Sequence, residues 1–139
     1  MENLKSLEKS INSELTSKII NSRINHNQIY IEIQDNDLAE VILFLKTNSK
    51  TKFRQLIDIT AVDYPSRDRR FKMVYLLLSH ETNSRIVINY NIKEGEIVSS
   101  LTSIFPSANW MEREVFDMYG IEFKNHPDLR RILTDYNFK

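Results

Sequence analysis

Cysteine is absent from this chain of 139 residues, and glycine and proline are scarce, with two and three copies. Without cysteine there is no disulfide, no thiolate zinc site and no cysteine-ligated iron–sulfur cluster. Gly95 and Gly120 stand far apart, and neither the GxGxxG nor the GxxxxGKS/T pattern occurs. The glycine-rich loops that hold phosphates in many nucleotide-binding proteins are therefore excluded.

The sequence also has no surplus of either charge and no long apolar run. Nineteen acidic residues balance nineteen lysines and arginines, which disfavours free nucleic acid as the main partner because phosphate binding usually requires a basic surplus. The apolar runs, such as that at residues 41–45, are all far shorter than the roughly 20 residues that span a bilayer. The polar N-terminus is typical of neither a signal nor a transit peptide. We therefore expect a soluble or peripheral protein in a cytoplasm-like compartment.

Length and hydrophobic periodicity predict a single domain that begins with a helix, a strand and a second helix. Apolar residues recur at helical spacing and predict a helix over residues 3–24. The residues of this stripe are Leu4, Leu7, Ile11, Leu15 and Ile19. Alternating isoleucines predict a strand over residues 28–34. A second helix is expected over residues 38–49, with Asp37 and Glu40 as its capping box.

The middle of the chain is rich in strand signals. Residues 53–62 contain many β-branched and aromatic side chains and predict a strand, with a helical turn near Phe53–Ile57 as the alternative. Residues 71–79 and 84–92 predict a β-hairpin joined by a short polar turn. The apolar run at residues 74–78 predicts a central strand that is covered on both faces.

After Gly95 the pattern returns to helical spacing. Residues 97–105 predict a short helix, and a second helix is expected over Trp110–Tyr119. Asn109 is the expected N-cap of that second helix, with Glu112 three residues later completing a capping box. Gly120 follows at the position where a left-handed residue ends many helices.

The remaining residues complete a prediction of the fold class. Residues 121–123 predict a short extended piece, and a polar tail follows. Hairpins dominate the order of elements, so we expect an α+β fold with a largely antiparallel or mixed β-sheet and flanking helices. The expected division is an α+β domain at residues 1–123 and an extended C-terminal docking tail at residues 124–139.

Residues 109–133 carry the densest set of chemically useful side chains, and the first hypothesis for them is a metal or acid–base site. Glu112 and Glu114 lie about 200° apart around a helix, so they cannot face one ion together. Glu114 and Asp117 share a helix face, although no HExxH motif accompanies them. The alternative function is therefore a stand-alone metal-dependent enzyme using Glu114, Asp117 and His126. In the simpler interpretation, these acids cap the helix and pair with nearby arginines.

The second hypothesis for the same run is a docking surface. The predicted helix alternates acidic and basic residues and also presents Trp110 and Phe116. Tryptophan and arginine are among the residue types enriched at interface hot spots. The tail carries large apolar anchors such as Leu129 but hardly any signal of regular structure, and such a tail is usually disordered or laid on a partner. Composition alone favours this hypothesis.

The third hypothesis is nucleic-acid binding through arginines. The basic residues that this hypothesis requires are Arg67, Arg69, Arg70, Arg130 and Arg131. Zero net charge and the acids interleaved among these residues weaken the hypothesis. For the first three arginines, the simpler interpretation is a solvated loop.

The run from Glu112 to Leu133, EREVFDMYGIEFKNHPDLRRIL, resembles the signature of the thirty-kilodalton subunit of respiratory complex I, the NADH:quinone oxidoreductase. The segment DITAVDYP at residues 58–65 resembles a second stretch of that family, and the resemblance covers most of the chain from about residue 28. Family members usually continue past residue 136 with a glycine-containing segment, so we expect a tail shorter than usual. The signature and docking positions that the resemblance implies are Trp110, Glu112, Arg113, Glu114, Phe116, Asp117, Gly120, His126, Pro127, Leu129, Arg130 and Arg131.

The resemblance implies a non-catalytic structural subunit of the peripheral arm of complex I. Such a subunit packs on the neighbouring subunit that forms the quinone site, and it supports electron transfer from NADH to quinone coupled to proton translocation. No catalytic residue, metal or cofactor is expected in this chain, whereas FMN and iron–sulfur clusters are expected in other subunits. The expected location is peripheral, on the cytoplasmic face of the bacterial inner membrane or the matrix side of the mitochondrial inner membrane. Membrane association is expected only through the complex, and nucleic acid is not an expected partner.

Overall fold

The computed structural model of the chain describes residues 2–34, 37–48, 50–124 and 126. The helices within these residues are α1 (Glu2–Glu14), α2 (Leu38–Thr47) and α3 (Ala108–Tyr119). The strands are β1 (Ile19–Asn25), β2 (Gln28–Ile33), β3 (Gln55–Asp63), β4 (Phe71–Ser79), β5 (Ser84–Ile92), β6 (Val98–Ser99) and β7 (Phe123–Lys124).

Five of the strands form one mixed sheet in the order β1-β2-β5-β4-β3. The β1–β2, β5–β4 and β4–β3 pairs are antiparallel, whereas β2 and β5 run parallel. A second sheet contains only β6 and β7, which are parallel. The predicted α+β class with a mixed sheet is confirmed, and the predicted hairpin over residues 71–79 and 84–92 has the predicted bounds.

One face of the five-stranded sheet carries the core, because alternate residues of each strand point to the same side. The register aligns Ile31, Ile88, Tyr75 and Ile59 in one row across four strands. All four are buried, and they join one hydrophobic cluster with apolar residues of the three helices. On the opposite face of β4 the side chains are only half-buried: Val74, Leu76 and Leu78. β4 is an interior strand, as predicted, but the prediction that both of its faces are covered is wrong.

The helix predicted over residues 3–24 is also wrong in its extent, because α1 ends at Glu14 and the chain enters β1 at Ile19. The β1–β2 hairpin turns at His26 and Asn27, which have positive φ angles of 51° and 61°, as in two-residue hairpin loops. The helical spacing predicted too long a helix because Ile19 continues the apolar stripe of α1, although it packs on the same core from a strand. Strand pairing outweighed a weak helical preference.

Both predicted capping boxes are wrong. Asp37 makes no side-chain bond to the first turn of α2, and Glu40 instead lies 3.1 Å from Nζ of Lys18 in an ion pair. Helix α3 begins at Ala108, so Asn109 lies inside it and is not its cap. The predicted helix over residues 97–105 does not form, because Val98 and Ser99 pair with β7.

Candidate docking site on helix α3

Helix α3 is anchored by one side only. Ala108, Glu112 and Val115 are buried on that side, and Phe116 is half-buried against the core. The ring of Tyr119 packs edge-on against Phe71 of β4, with 6.0 Å between the ring centroids. Because buried positions recur every three or four residues, the helix presents the opposite side to solvent.

Gly120 ends α3 in the left-handed conformation that was predicted for it. Its φ angle is 72°, and its N–H donates to the carbonyl oxygen of Phe116 at 2.8 Å. The chain then turns so that Ile121 is buried and β7 pairs with β6. Gly120 therefore sets the direction in which the chain leaves the helix.

Glu112 is a fully buried carboxyl group on the inner side of α3. Its two oxygens accept hydrogen bonds from the hydroxyl of Ser100 at 2.7 Å and from the N–H of Leu101 at 2.8 Å. Burial raises the pKa of Glu112 to about 7, against the opposing effect of these two donors. The carboxyl group therefore fixes the segment after β6 to the first half of α3.

His126 lies beside this carboxyl group. Its Nε2 atom is 2.9 Å from the carbonyl oxygen of Asn109 and 3.8 Å from Oε1 of Glu112. A carbonyl oxygen only accepts, so Nε2 carries the hydrogen in this contact. The buried ring of Tyr75 stacks on Tyr90, and the pKa of Tyr75 is raised first by burial and then by Tyr90 and Glu112. Polar groups on the buried side of α3 thus hold His126 against the helix.

The exposed side of α3 has a different composition. Trp110 is 63% exposed and Met118 is 74% exposed. Glu114 and Asp117 lie between them and are also exposed, while the Arg113 guanidinium sits 5.3 Å from the centroid of the Trp110 ring. We call these five residues the outer face of α3. Tryptophan, methionine and arginine are enriched at surfaces that bind another protein.

The structure therefore divides the predicted site residues between the two sides of one helix. Ser100, Leu101 and Tyr75 were not predicted as site residues, because no local motif marks them. The burial of Glu112 was predictable from its spacing. It lies four residues after Ala108 and three before Val115, which are the other buried residues of α3. Four predicted residues lie outside the described part of the chain: Pro127, Leu129, Arg130 and Arg131.

The arrangement does not support the metal-dependent enzyme. Glu114 and Asp117 face solvent, whereas His126 is buried against Asn109 and Glu112 on the other side of the helix. Within residues 2–34, 37–48, 50–124 and 126, no three side chains of the metal-binding types group together. The three residues of the hypothesis are therefore not placed to share an ion.

Two of the three arginines in the loop between β3 and β4 are neutralised by neighbouring acids. Arg70 binds both carboxylate oxygens of Asp63, at 2.7 and 2.9 Å, which lowers the pKa of Asp63. Arg69 pairs with Glu96, and Arg67 lies 4.0 Å from the ring centroid of Tyr64. These contacts remove the case for a phosphate-binding patch at this loop. Each described helix is too short or too polar to span a bilayer.

Comparison with known proteins identifies the family. The model of the respiratory-chain NADH dehydrogenase 30 Kd subunit family matches residues 31–139. The corresponding subunit of the NADH-quinone oxidoreductase of Dinoroseobacter shibae is 52% identical over 121 residues, which are 87% of this chain and 56% of that protein. Its counterpart in a Ruegeria species is 44% identical across the whole of this chain and 69% of its own length. This chain thus spans between half and about two thirds of these relatives.

Solved structures share this fold. The trypsin-resistant fragment (1–134) of Nqo5 matches with a TM-score of 0.74 and 25% identity over 91% of this chain and 99% of the fragment. A chain of an archaeal membrane-bound sulfane sulfur reductase shares the fold, with a TM-score of 0.79 and 19% identity over 89% of this chain. The predicted resemblance is confirmed, and the chain belongs to the family of the 30 Kd subunit of respiratory-chain NADH dehydrogenase.

Proposed function

We propose that this chain is a non-catalytic structural subunit of the peripheral arm of an NADH:quinone oxidoreductase. In this role it supports electron transfer from NADH to quinone, coupled to proton translocation by the complex. Its relatives are named as one subunit of NADH-quinone oxidoreductase, which supports the assignment. The chain itself needs no cofactor for this role, since FMN and iron–sulfur clusters belong to other subunits.

The proposal rests on the exposure of two large hydrophobic side chains on the outer face of α3. Trp110 and Met118 are the two most exposed large hydrophobic residues of the described chain, on a helix whose other side is fixed to the core. Leaving both in water is unfavourable, and covering them on a partner recovers that free energy. We infer that α3 and residues 124–139 lie against the subunit that forms the quinone site.

The buried side of α3 suits this role because it makes the surface rigid. Glu112 ties the helix to Ser100 and Leu101, and His126 ties the following chain to the start of the same helix. A surface that is ordered before binding loses less conformational entropy on association. The chain is then associated with the membrane only through its partner. The expected location is the cytoplasmic face of a bacterial inner membrane or the matrix side of the mitochondrial inner membrane.

Co-expression with the quinone-site subunit encoded in the same genome tests the proposal. Size-exclusion chromatography of the full chain is expected to give a one-to-one complex. A variant that lacks residues 127–139 keeps β7 and His126, and we expect its complex to be weaker. A full-length chain that stays monomeric beside the folded partner would contradict the proposal.

A further inference from the structure

The outer face of α3 carries two carboxylates that form no ion pair within the described residues. Glu114 and Asp117 lie one helical turn apart, and neither forms an ion pair with any residue in the described ranges. Acids elsewhere on the surface do find partners: Asp63 binds Arg70, and Glu81 binds Lys52 and Arg54. Glu14, Asp58 and Glu122 are also exposed acids without an ion pair in the described residues. Glu114 and Asp117 differ from them in lying between the exposed side chains of Trp110 and Met118.

Their position makes them unfavourable for the helix itself. Asp117 lies in the last turn, where the helix dipole is negative, and that turn contains no basic residue. Glu114 precedes it by three residues, so two like charges are neighbours on one face. A sequence selected only for the stability of α3 would place a cation or a neutral residue at these positions.

The surroundings of the two acids add apolar contact area. Arg113 is the nearest cation in sequence, but its guanidinium stacks on Trp110 and makes no ion pair with a described acid. From Trp110 to Met118 the outer face is about 12 Å long, given a rise of about 1.5 Å per residue. An exposed apolar side chain thus flanks the acid pair at each end.

We propose that the outer face of α3 recognises a cationic protein surface, in which arginine or lysine side chains meet Glu114 and Asp117 between apolar contacts for Trp110 and Met118. This inference rests on the proposed function, since it specifies the chemistry of the subunit on which the chain docks. An arginine suits the site best because its planar guanidinium binds carboxylates through two parallel hydrogen bonds. The partner's cation also offsets the negative end of the helix dipole.

The free chain provides the first test. Removing both charges with Glu114→Gln and Asp117→Asn is expected to raise the melting temperature by about 1–3 °C, because repulsion and the dipole conflict are relieved. The measurement is calorimetry at low salt, and the gain should shrink at high salt as the charges are screened. A lower melting temperature would overturn the premise that these acids are locally unfavourable.

Binding to the quinone-site subunit provides the second test. Reversing both charges with Glu114→Lys and Asp117→Lys is expected to weaken the Kd by roughly 30-fold or more at low salt. The control, Glu14→Lys with Asp58→Lys, changes the net charge equally at exposed acids on α1 and β3, and its Kd should stay within about 3-fold. Raising the salt concentration should weaken the wild-type complex and leave the reversed variant nearly unchanged.

The possible failures are distinct. If the Kd of the Glu114→Lys and Asp117→Lys variant stays within about 3-fold of the wild-type Kd, this inference is wrong and the proposed function stands. Equal losses in the reversed variant and in its control would also overturn it, since they would reflect net charge and not this face. A wild-type chain that does not bind would overturn the proposed function and this choice of partner together.

Discussion

Oε1 of Glu112 lies 3.8 Å from Nε2 of His126, and both side chains are fully shielded from solvent. The pair joins the first half of α3 to the chain that follows β7. In the folded protein, burial raises the pKa of Glu112 from its ordinary value of 4.5 to about 7. A buried carboxyl group of this kind makes the stability of the fold depend on pH.

We predict that the free energy of unfolding falls as the pH rises from about 4.5 to 7. Between these values the folded chain holds a proton on Glu112 that the unfolded chain has already released. The expected loss is about 3 kcal/mol across this window, on the scale of about 1.4 kcal/mol per pKa unit. Urea unfolding at pH 5 and pH 8 measures it.

The matched variant for this prediction is Glu112→Gln. The glutamine carbonyl oxygen accepts from the N–H of Leu101, and its amide donates to the Ser100 hydroxyl, so both contacts persist without a titrating group. The wild-type loss between pH 5 and pH 8 should therefore disappear in this variant. Glu114→Gln, at an exposed position, is the control and should keep the wild-type profile. An unchanged pH profile in Glu112→Gln would show that another group is responsible.

Removing the side chain altogether should be more harmful than neutralising it. In Glu112→Ala the buried N–H of Leu101 loses its acceptor, the half-buried hydroxyl of Ser100 loses one of its partners, and a cavity remains. We expect a destabilisation of about 2–4 kcal/mol, measured by urea unfolding at pH 7. A loss no larger than that of Glu112→Gln would contradict the assigned hydrogen bonds.

Several parts of this fold were predictable because the signals are local. The β4–β5 hairpin follows from two apolar runs around a polar turn, and Gly120 marks the end of α3 because few other residues adopt its φ angle. The sequence placed Trp110 on a docking surface, and its side chain is exposed in the structure, while its docking role stays a prediction. The hydrogen bonds of Glu112 were not predictable, because Leu101 and Ser100 lie 11 and 12 residues away in sequence.

The errors have a common physical cause. Ile19 fits the helical stripe of α1 yet belongs to β1, and Val98 fits a short helix yet pairs in β6. In both cases the strand forms because a distant segment supplies its hydrogen bonds, which local propensity does not reveal. The capping box predicted at Asp37 and Glu40 fails for a similar reason, because Glu40 forms an ion pair with the distant Lys18 instead.

A substitution at Gly120 tests the turn that follows α3. We expect Gly120→Val to destabilise the fold by about 1–3 kcal/mol, because a β-branched residue is strained at a φ angle of 72°. No described atom lies within 4 Å of the position that a Cβ would take, so the cost comes from the backbone and not from a clash. Thermal unfolding measures it. Gly120→Asn is the control and should lose less, since asparagine tolerates the left-handed region. An unchanged melting temperature for Gly120→Val would contradict the strained turn.

Truncation of Trp110 separates binding from stability. Its side chain is 63% exposed and contacts the Arg113 guanidinium, so Trp110→Ala should change the free energy of unfolding by less than about 1 kcal/mol. The same change should weaken binding to the quinone-site subunit by roughly 30-fold, as expected for an aromatic hot spot. Isothermal titration calorimetry and thermal unfolding of the same preparations measure the two effects.

Ile20→Ala is the matched control for this variant, because Ile20 is 56% exposed on β1, away from α3. It removes a comparable exposed apolar group and should leave the Kd within about 3-fold of wild type. If Ile20→Ala weakens binding as much as Trp110→Ala, the partner covers β1 as well and α3 is not the centre of the interface. If neither change affects binding, the outer face of α3 is not the docking surface, and the contacts must come from residues 124–139 or from the uncovered face of the sheet.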